Sequence, residues 1–215
     1  MKAHSKETQA TLTPIKAYQY LKEGNERFIN NLTYNRNLLQ QVNETSEGQW
    51  PFAVILSCID SRTSAELIFD QGLGDIFSIR VAGNIVNEDI LGSMEFACNV
   101  AASKLLVVLG HSNCGAIKGA CSHVELGNLT LLLNKIQPAV TSVEKEMPGT
   151  DPKNSDFVEA VAKANVHHSI EQILSRSPIV RGMLEEGRIG LIGGMYSVET
   201  GAVDFFEEIF NVPTT

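Results

Sequence analysis

The sequence predicts an α/β fold: a mainly parallel central sheet flanked by helices, with an antiparallel strand near one edge. Three observations carry that reading. Short, continuously apolar runs recur at residues 52–57, 76–81, 104–110 and 189–196, the pattern of strands covered on both faces. Segments of helical character separate them, the alternation that builds a parallel sheet. The chain of 215 residues is also long enough to bury a core without disulfide staples.

The elements follow in order. Residues 1–13 read as a polar tail, 14–49 as an N-terminal helical arm and 50–215 as one α/β core, together a single domain. In the arm, residues 14–31 form an amphipathic helix. Pro14 suits a first turn, and Ile15, Tyr18, Leu21 and Phe28 recur at helical spacing. Residues 32–49 are a polar loop or irregular helix. Helices are expected at 64–69, 88–102, 116–126 and 129–143, and a long one at 156–175 after the Pro/Gly/Asp break at 147–154. Residues 203–210, beyond a turn at 199–201, are the last strand.

Seventeen basic against 25 acidic residues leave a net charge of −8. No basic cluster suits nucleic acid. The apolar runs at 105–109 and 131–133 fall far short of the ~20 residues of a membrane span. The first twelve residues lack a signal-peptide core. The expected location is therefore the cytoplasm, or an organelle stroma or matrix after loss of a transit peptide.

In such a compartment the four cysteines are reduced. Cys98 and Cys121 sit inside small-residue helical segments and read as core fillers. Cys58 and Cys114 each follow an apolar strand and have polar neighbours. Ligands gather beyond the carboxyl ends of strands in open α/β sheets. The first strand runs into Cys58-Ile59-Asp60-Ser61-Arg62, and the third into His111-Ser112-Asn113-Cys114-Gly115. Cys58, His111 and Cys114 can therefore meet as a Cys₂His set, a zinc set with a free fourth position. His123 is a lesser candidate ligand. Asp60 either orients a water on the metal, with Arg62 keeping its carboxylate ionised, or binds the metal itself and closes the site.

At these residues the sequence resembles the β-class carbonic anhydrases. Cys-x-Asp-Ser-Arg at 58–62 and His-x-x-Cys at 111–114 together are that family's signature. Further matches are Gly74-Asp75-Ile76-Phe77, Arg80-Val81-Ala82-Gly83-Asn84 and Gly92-Ser93-Met94-Glu95-Phe96. The likeness runs from about Pro14 to the C-terminus.

The resemblance implies one Zn²⁺ per chain on Cys58, His111 and Cys114, and reversible hydration of carbon dioxide to bicarbonate and a proton by hydroxide generated at that zinc. Asp60 and Arg62 would be catalytic. It implies a homodimer or dimer of dimers with shared active sites, gripped by the helical arm. Gln49, nine residues before Cys58, marks the plant-like type I subgroup and would hydrogen-bond substrate across the interface. Phe77, Ala82 and Phe96 would wall the carbon dioxide pocket, Phe96 standing where plant enzymes often carry tyrosine. Ile55 replaces the tryptophan of the bicarbonate-inhibited bacterial subgroup. His167 and His168 are either a proton shuttle or solvated helix residues. Three-histidine carbonic anhydrases lower the pKa of zinc-bound water to about 7. Two thiolates cancel the ion's formal charge, so activity is expected to favour alkaline pH. Carbonyl sulfide or carbon disulfide hydrolysis on the same scaffold, and a non-catalytic zinc-stabilised protein, are the alternatives. A thiol redox protein fits less well, since no Cys-x-x-Cys is present.

Overall fold

Strand β1 (Ala53–Ser57) is buried along its whole length. Successive side chains of a strand point to opposite faces, and here each face meets its own core. Val54 and Leu56 enter one, Ala53 and Ile55 the other. Around β1 lie β2 (Ile76–Arg80), β3 (Leu105–His111), β4 (Gly190–Tyr196) and β5 (Val203–Ile209), in the order β2-β1-β3-β4-β5. The first four run parallel, and β5 returns antiparallel along β4. That is the predicted sheet. The computed structural model describes residues 4–210.

The helices are α1 (Lys6–Ala10), α2 (Pro14–Ile29), α3 (Leu38–Glu44), α4 (Ala65–Ile68), α5 (Glu88–Glu95), α6 (Gly115–Cys121), α7 (Gly127–Leu133), α8 (Gln137–Glu146), α9 (Ser155–Arg176) and α10 (Pro178–Glu185). One sheet face is covered by α5, α9 and α10, through residues such as Met94, Ile170 and Leu184. The other is covered by α2 and α4, through Ala17, Leu21 and Ile68. A third cluster, including Ile117, Ile136, Val140 and Phe157, packs around Cys58 and Cys114. No helix among the described residues is long and apolar enough to cross a membrane.

Several helices depart from the sequence expectation for local reasons. The helix expected at 129–143 is two, because Pro138 has no N–H for the carbonyl four residues back and instead opens α8. The segment expected as one helix over 88–102 is α-helical only to Glu95. Phe96–Val100 forms a π-helical turn, with the Ala101 N–H reaching the Phe96 carbonyl at 2.9 Å. Helix α6 stops at Cys121, and His123 takes a left-handed conformation (φ 49°). Helix α10 was not anticipated, although Pro178 and the Ser177 cap are its start signals. Part of the polar tail is ordered as α1, where Gln9 is buried and donates to the carbonyls of Pro51 and Ala101, both at 2.8 Å.

Helix α2 packs on its own domain and leaves Ile15 and Ile29 exposed. The chain beyond it is tied down at Asp70, which is buried and accepts from Arg27 Nε at 2.5 Å and from Arg36. Burial alone would raise the Asp70 pKa, but the two guanidiniums outweigh it and hold the carboxyl below its ordinary value. Asp70→Asn keeps a residue type that tolerates the left-handed backbone there (φ 45°) and removes the charge together with one acceptor oxygen. The loss expected is about 3–5 kcal/mol, the usual cost of breaking a buried ion pair from one side. Because the folded pKa lies below the unfolded one, the Asp70 contribution is complete above the ordinary carboxylate range and fades as pH falls through the folded value. Denaturant melts at neutral and acid pH should therefore show wild type and Asp70→Asn converging in acid. A constant gap would contradict the assignment.

Candidate metal centre

Strands β1 and β3 pair in parallel from Ala53 with Leu105 to Ser57 with Leu109. Cys58, one residue past β1, therefore lies at the same sheet end as His111, the last residue of β3. Asn113 turns the chain back in a left-handed conformation (φ 57°), and Cys114 opens α6. The ligand atoms of Cys58, His111 and Cys114 all lie within 4.8 Å of one another. All three residues are buried.

The donor chemistry fits a metal. His111 donates its Nδ1–H to the Ser112 carbonyl at 2.9 Å, which leaves Nε2 as the lone-pair nitrogen. That Nε2 is buried and has no hydrogen-bond partner among the described residues. The two sulfurs are 4.0 Å apart. The hydrogen bond between them draws the Cys58 pKa well below its ordinary range, while Cys114 is pushed up. One proton is thus shared where a cation would sit between two thiolates. Two sulfurs and one imidazole nitrogen form a zinc ligand set with a fourth position left over. Cys98 and Cys121 stand outside it, pushed by burial to about 12 and about 11, as inert core thiols are.

Asp60 also lies outside the ligand cluster. Its carboxylate takes a fork from Arg62, with Nε to Oδ1 at 2.9 Å and Nη2 to Oδ2 at 2.8 Å, and the Arg62 N–H adds a third bond at 3.0 Å. The hydrogen bonding from Arg62 holds Asp60 ionised far below the usual carboxylate range. Two further residues, not singled out in the sequence, hold this loop. Arg80 donates to the carbonyls of Cys58 (3.1 Å) and Asp60 (2.6 Å), and the buried Thr63 hydroxyl also faces both, at 3.0 and 2.9 Å. Arg80 stands in the quoted run 80–84, so its presence was visible, but its target was not.

The other predicted residues divide. Ala82 lies beside the centre, in a 3₁₀ turn (Ala82–Asn84) whose Gly83 N–H donates to the Cys58 sulfur at 3.4 Å. Phe77 and Phe96 meet each other edge to face, 6.2 Å between centroids, in a cleft of about 630 Å³ along edge strand β2. Phe77 pairs with Val54, four residues before Cys58, which is roughly 13 Å along a strand. Gln49 is exposed at the opposite end of β1, roughly 17 Å of strand away. These three do not reach the centre of their own chain. His167 binds Glu207 at 2.5 Å, and with His168 it lines a cavity between α8 and α9 that includes none of the three ligands. Exposed His123 is also outside the cluster. A cavity of about 850 Å³ does open beside the 111–114 turn, lined in part by Ser112, Asn113, Glu159 and Tyr196. Burial raises the Glu159 carboxyl.

A family model described as carbonic anhydrase matches residues 53–203. The chain belongs to the carbonic anhydrase family. Carbonic anhydrase 2 of Mycobacterium tuberculosis is 32% identical over 207 residues, covering 93% of this chain and 96% of the relative. Among solved structures, the β-carbonic anhydrase CcaA superposes with a TM-score of 0.71 at 27% identity, over 88% of this chain and 95% of that one. Tetrameric β-carbonic anhydrases of Sordaria macrospora share the fold at 23% identity, with a TM-score of 0.72 and coverage of 88% and 96%. This chain is thus a β-class carbonic anhydrase in fold and family.

Because Arg80 holds the carbonyls of Cys58 and Asp60, Arg80→Ala should weaken binding of a divalent metal at this centre by about 10–100-fold, as losses behind a metal ligand do. Competition against a chromophoric chelator would measure it, and unchanged affinity would remove Arg80 from the support of the site.

Proposed function

We propose that this carbonic anhydrase converts carbon dioxide and water reversibly to bicarbonate and a proton, with one zinc ion on Cys58, His111 and Cys114. The observation that carries the reading is the buried, unpartnered Nε2 of His111 held within 4.8 Å of two sulfurs. When bound, zinc would supply a Lewis acid that acidifies water at its fourth position and so yields a nucleophile at mildly alkaline pH. Asp60, held ionised by the Arg62 fork, would accept a hydrogen bond from a water at that position and orient its oxygen towards substrate. For Asp60 to become a ligand it would have to leave three hydrogen bonds from Arg62, which favours the open site. Carbon dioxide offers no donor and only weak acceptors, so apolar walls suit it better than hydrogen bonds.

A second copy of the chain completes the pocket in this reading. Exposed Gln49 stands before β1, away from its own centre, and Phe77 and Phe96 meet on the β2 side of the molecule. Phe96, Val100, Leu67 and Leu73 are exposed apolar residues there. A dimer across that edge brings one protomer's Gln49, Phe77 and Phe96 to the centre of the other. Gln49, together with Ile55 in place of tryptophan, supports the plant-like type I assignment. The four unpaired cysteines suit a reducing compartment, the cytoplasm or an organelle interior.

Stopped-flow hydration of carbon dioxide at mildly alkaline pH is expected to be fast for zinc-loaded protein. Asp60→Asn at matched zinc content should be slower by about a hundredfold, the scale of a positioned proton acceptor. Zinc-loaded wild type without hydration above buffer would overturn the reading and bring carbonyl sulfide forward as substrate. Mixing Gln49→Ala protomers with Asp60→Asn protomers should restore activity that neither has alone, since hybrid dimers hold one intact site. If both residues act within one chain, mixing restores nothing.

A further inference from the structure

Helix α9 buries Val158, Val161, Ala162, Val166, Ile170 and Ile173, an apolar stripe at helical spacing. Two polar residues, Asn165 and Ser169, interrupt it, and both are at least nine-tenths buried (1% and 2% exposed). Apolar side chains would fill those places without the desolvation cost of an amide and a hydroxyl. The two polar groups converge on one short segment. Asn165 Nδ2 donates to the Gly83 carbonyl at 2.8 Å, and Ser169 Oγ donates to the Asn84 carbonyl at 3.1 Å.

That segment is conformationally unusual. Gly83 and Asn84 both have positive φ, 67° and 41°. A Cβ on Gly83 would stand 2.7 Å from Ile136 Cδ1 at the N-cap of α8 and would be strained at this positive φ, so glycine is strongly favoured there. Glycine is also the residue whose own backbone holds a conformation least. The turn therefore depends on outside contacts to keep its shape. Its inward product is the Gly83 N–H, which donates to the Cys58 sulfur at 3.4 Å. A continuous line of contacts runs from α9 through two carbonyls and one amide to a metal ligand.

We propose that Asn165 and Ser169 are positioning residues of the metal centre: by clamping the Gly83 and Asn84 carbonyls they hold the Gly83 N–H on the Cys58 sulfur and set how tightly the site retains its metal. The inference rests on the zinc reading above. A hydrogen bond from a backbone amide orients the sulfur and takes up part of its charge. Once the clamp is cut, the glycine turn can rotate, the amide leaves the sulfur, and the ligand becomes freer to let go.

The test uses full-length protein loaded with zinc, with 4-(2-pyridylazo)resorcinol as the acceptor of released metal, and a cobalt-substituted sample for the thiolate charge-transfer band. Asn165→Leu should release zinc about 10–100-fold faster than wild type and should shift the cobalt band. Ser169→Ala, a milder change that carries the test if Asn165→Leu does not fold, should move both readouts in the same direction by less. Ile173→Ala, which removes packing from the same helix two turns on, should lower thermal stability and leave both readouts unchanged. Wild-type release rates and band position in folded Asn165→Leu and Ser169→Ala would overturn the inference. So would equal acceleration in Ile173→Ala, since that marks a general loosening of the helix. Wild-type protein that binds no zinc at all would overturn the underlying zinc reading, and this inference with it.

Discussion

The parallel pairing of β1 with β3, in register over five residues, makes one ligand set out of Cys58 and Cys114, which are 56 residues apart in sequence. Each face of these strands meets a different core, so a one-residue slip would exchange every side chain between them. The hydrophobic cores thus set the registry, and the registry sets the separation of the sulfurs. Helices must cover both faces of a parallel sheet because its strands are joined by crossovers. The same crossovers leave the strand ends open for chemistry.

Around that frame the charged groups divide their work. Arg62 faces outward and forks onto the Asp60 carboxylate, whereas Arg80 reaches from β2 to backbone carbonyls of the Cys58–Asp60 loop. One guanidinium orients a carboxylate, and the other fixes the chain that carries it. The buried ligands gain from this arrangement because their sulfur and nitrogen atoms need no large motion to meet a metal. A site prepared by its supporting contacts is also one that a loss behind the ligands can loosen without touching them.

The pocket walls follow a different logic. Phe77 of edge strand β2 packs against Phe96 of the turn after α5, and Gln49 precedes β1 at the far end of the sheet. A single chain therefore brings together the Cys₂His set and Ala82 but not Phe77, Phe96 and Gln49, which the family likeness assigns to the same pocket. Coupling activity to assembly in this way would also cover an exposed apolar edge.

Strand positions, the Cys₂His set and its flanking Asp60 and Arg62 were determined by the sequence alone, because each depends on local patterning. Continuous apolar runs mark buried strands, and ligands placed directly after them inherit the geometry of the sheet end. The break at Pro138 and the start of α10 at Pro178 are equally local signals. Tertiary structure alone decided which way Asp60 turns, what Arg80 and Thr63 hold, and that Asn165 and Ser169 reach Gly83 and Asn84. It also separated Gln49, Phe77 and Phe96 from their own metal centre. These are contacts between distant segments, whose directions follow from packing angles and backbone turns rather than from residue spacing.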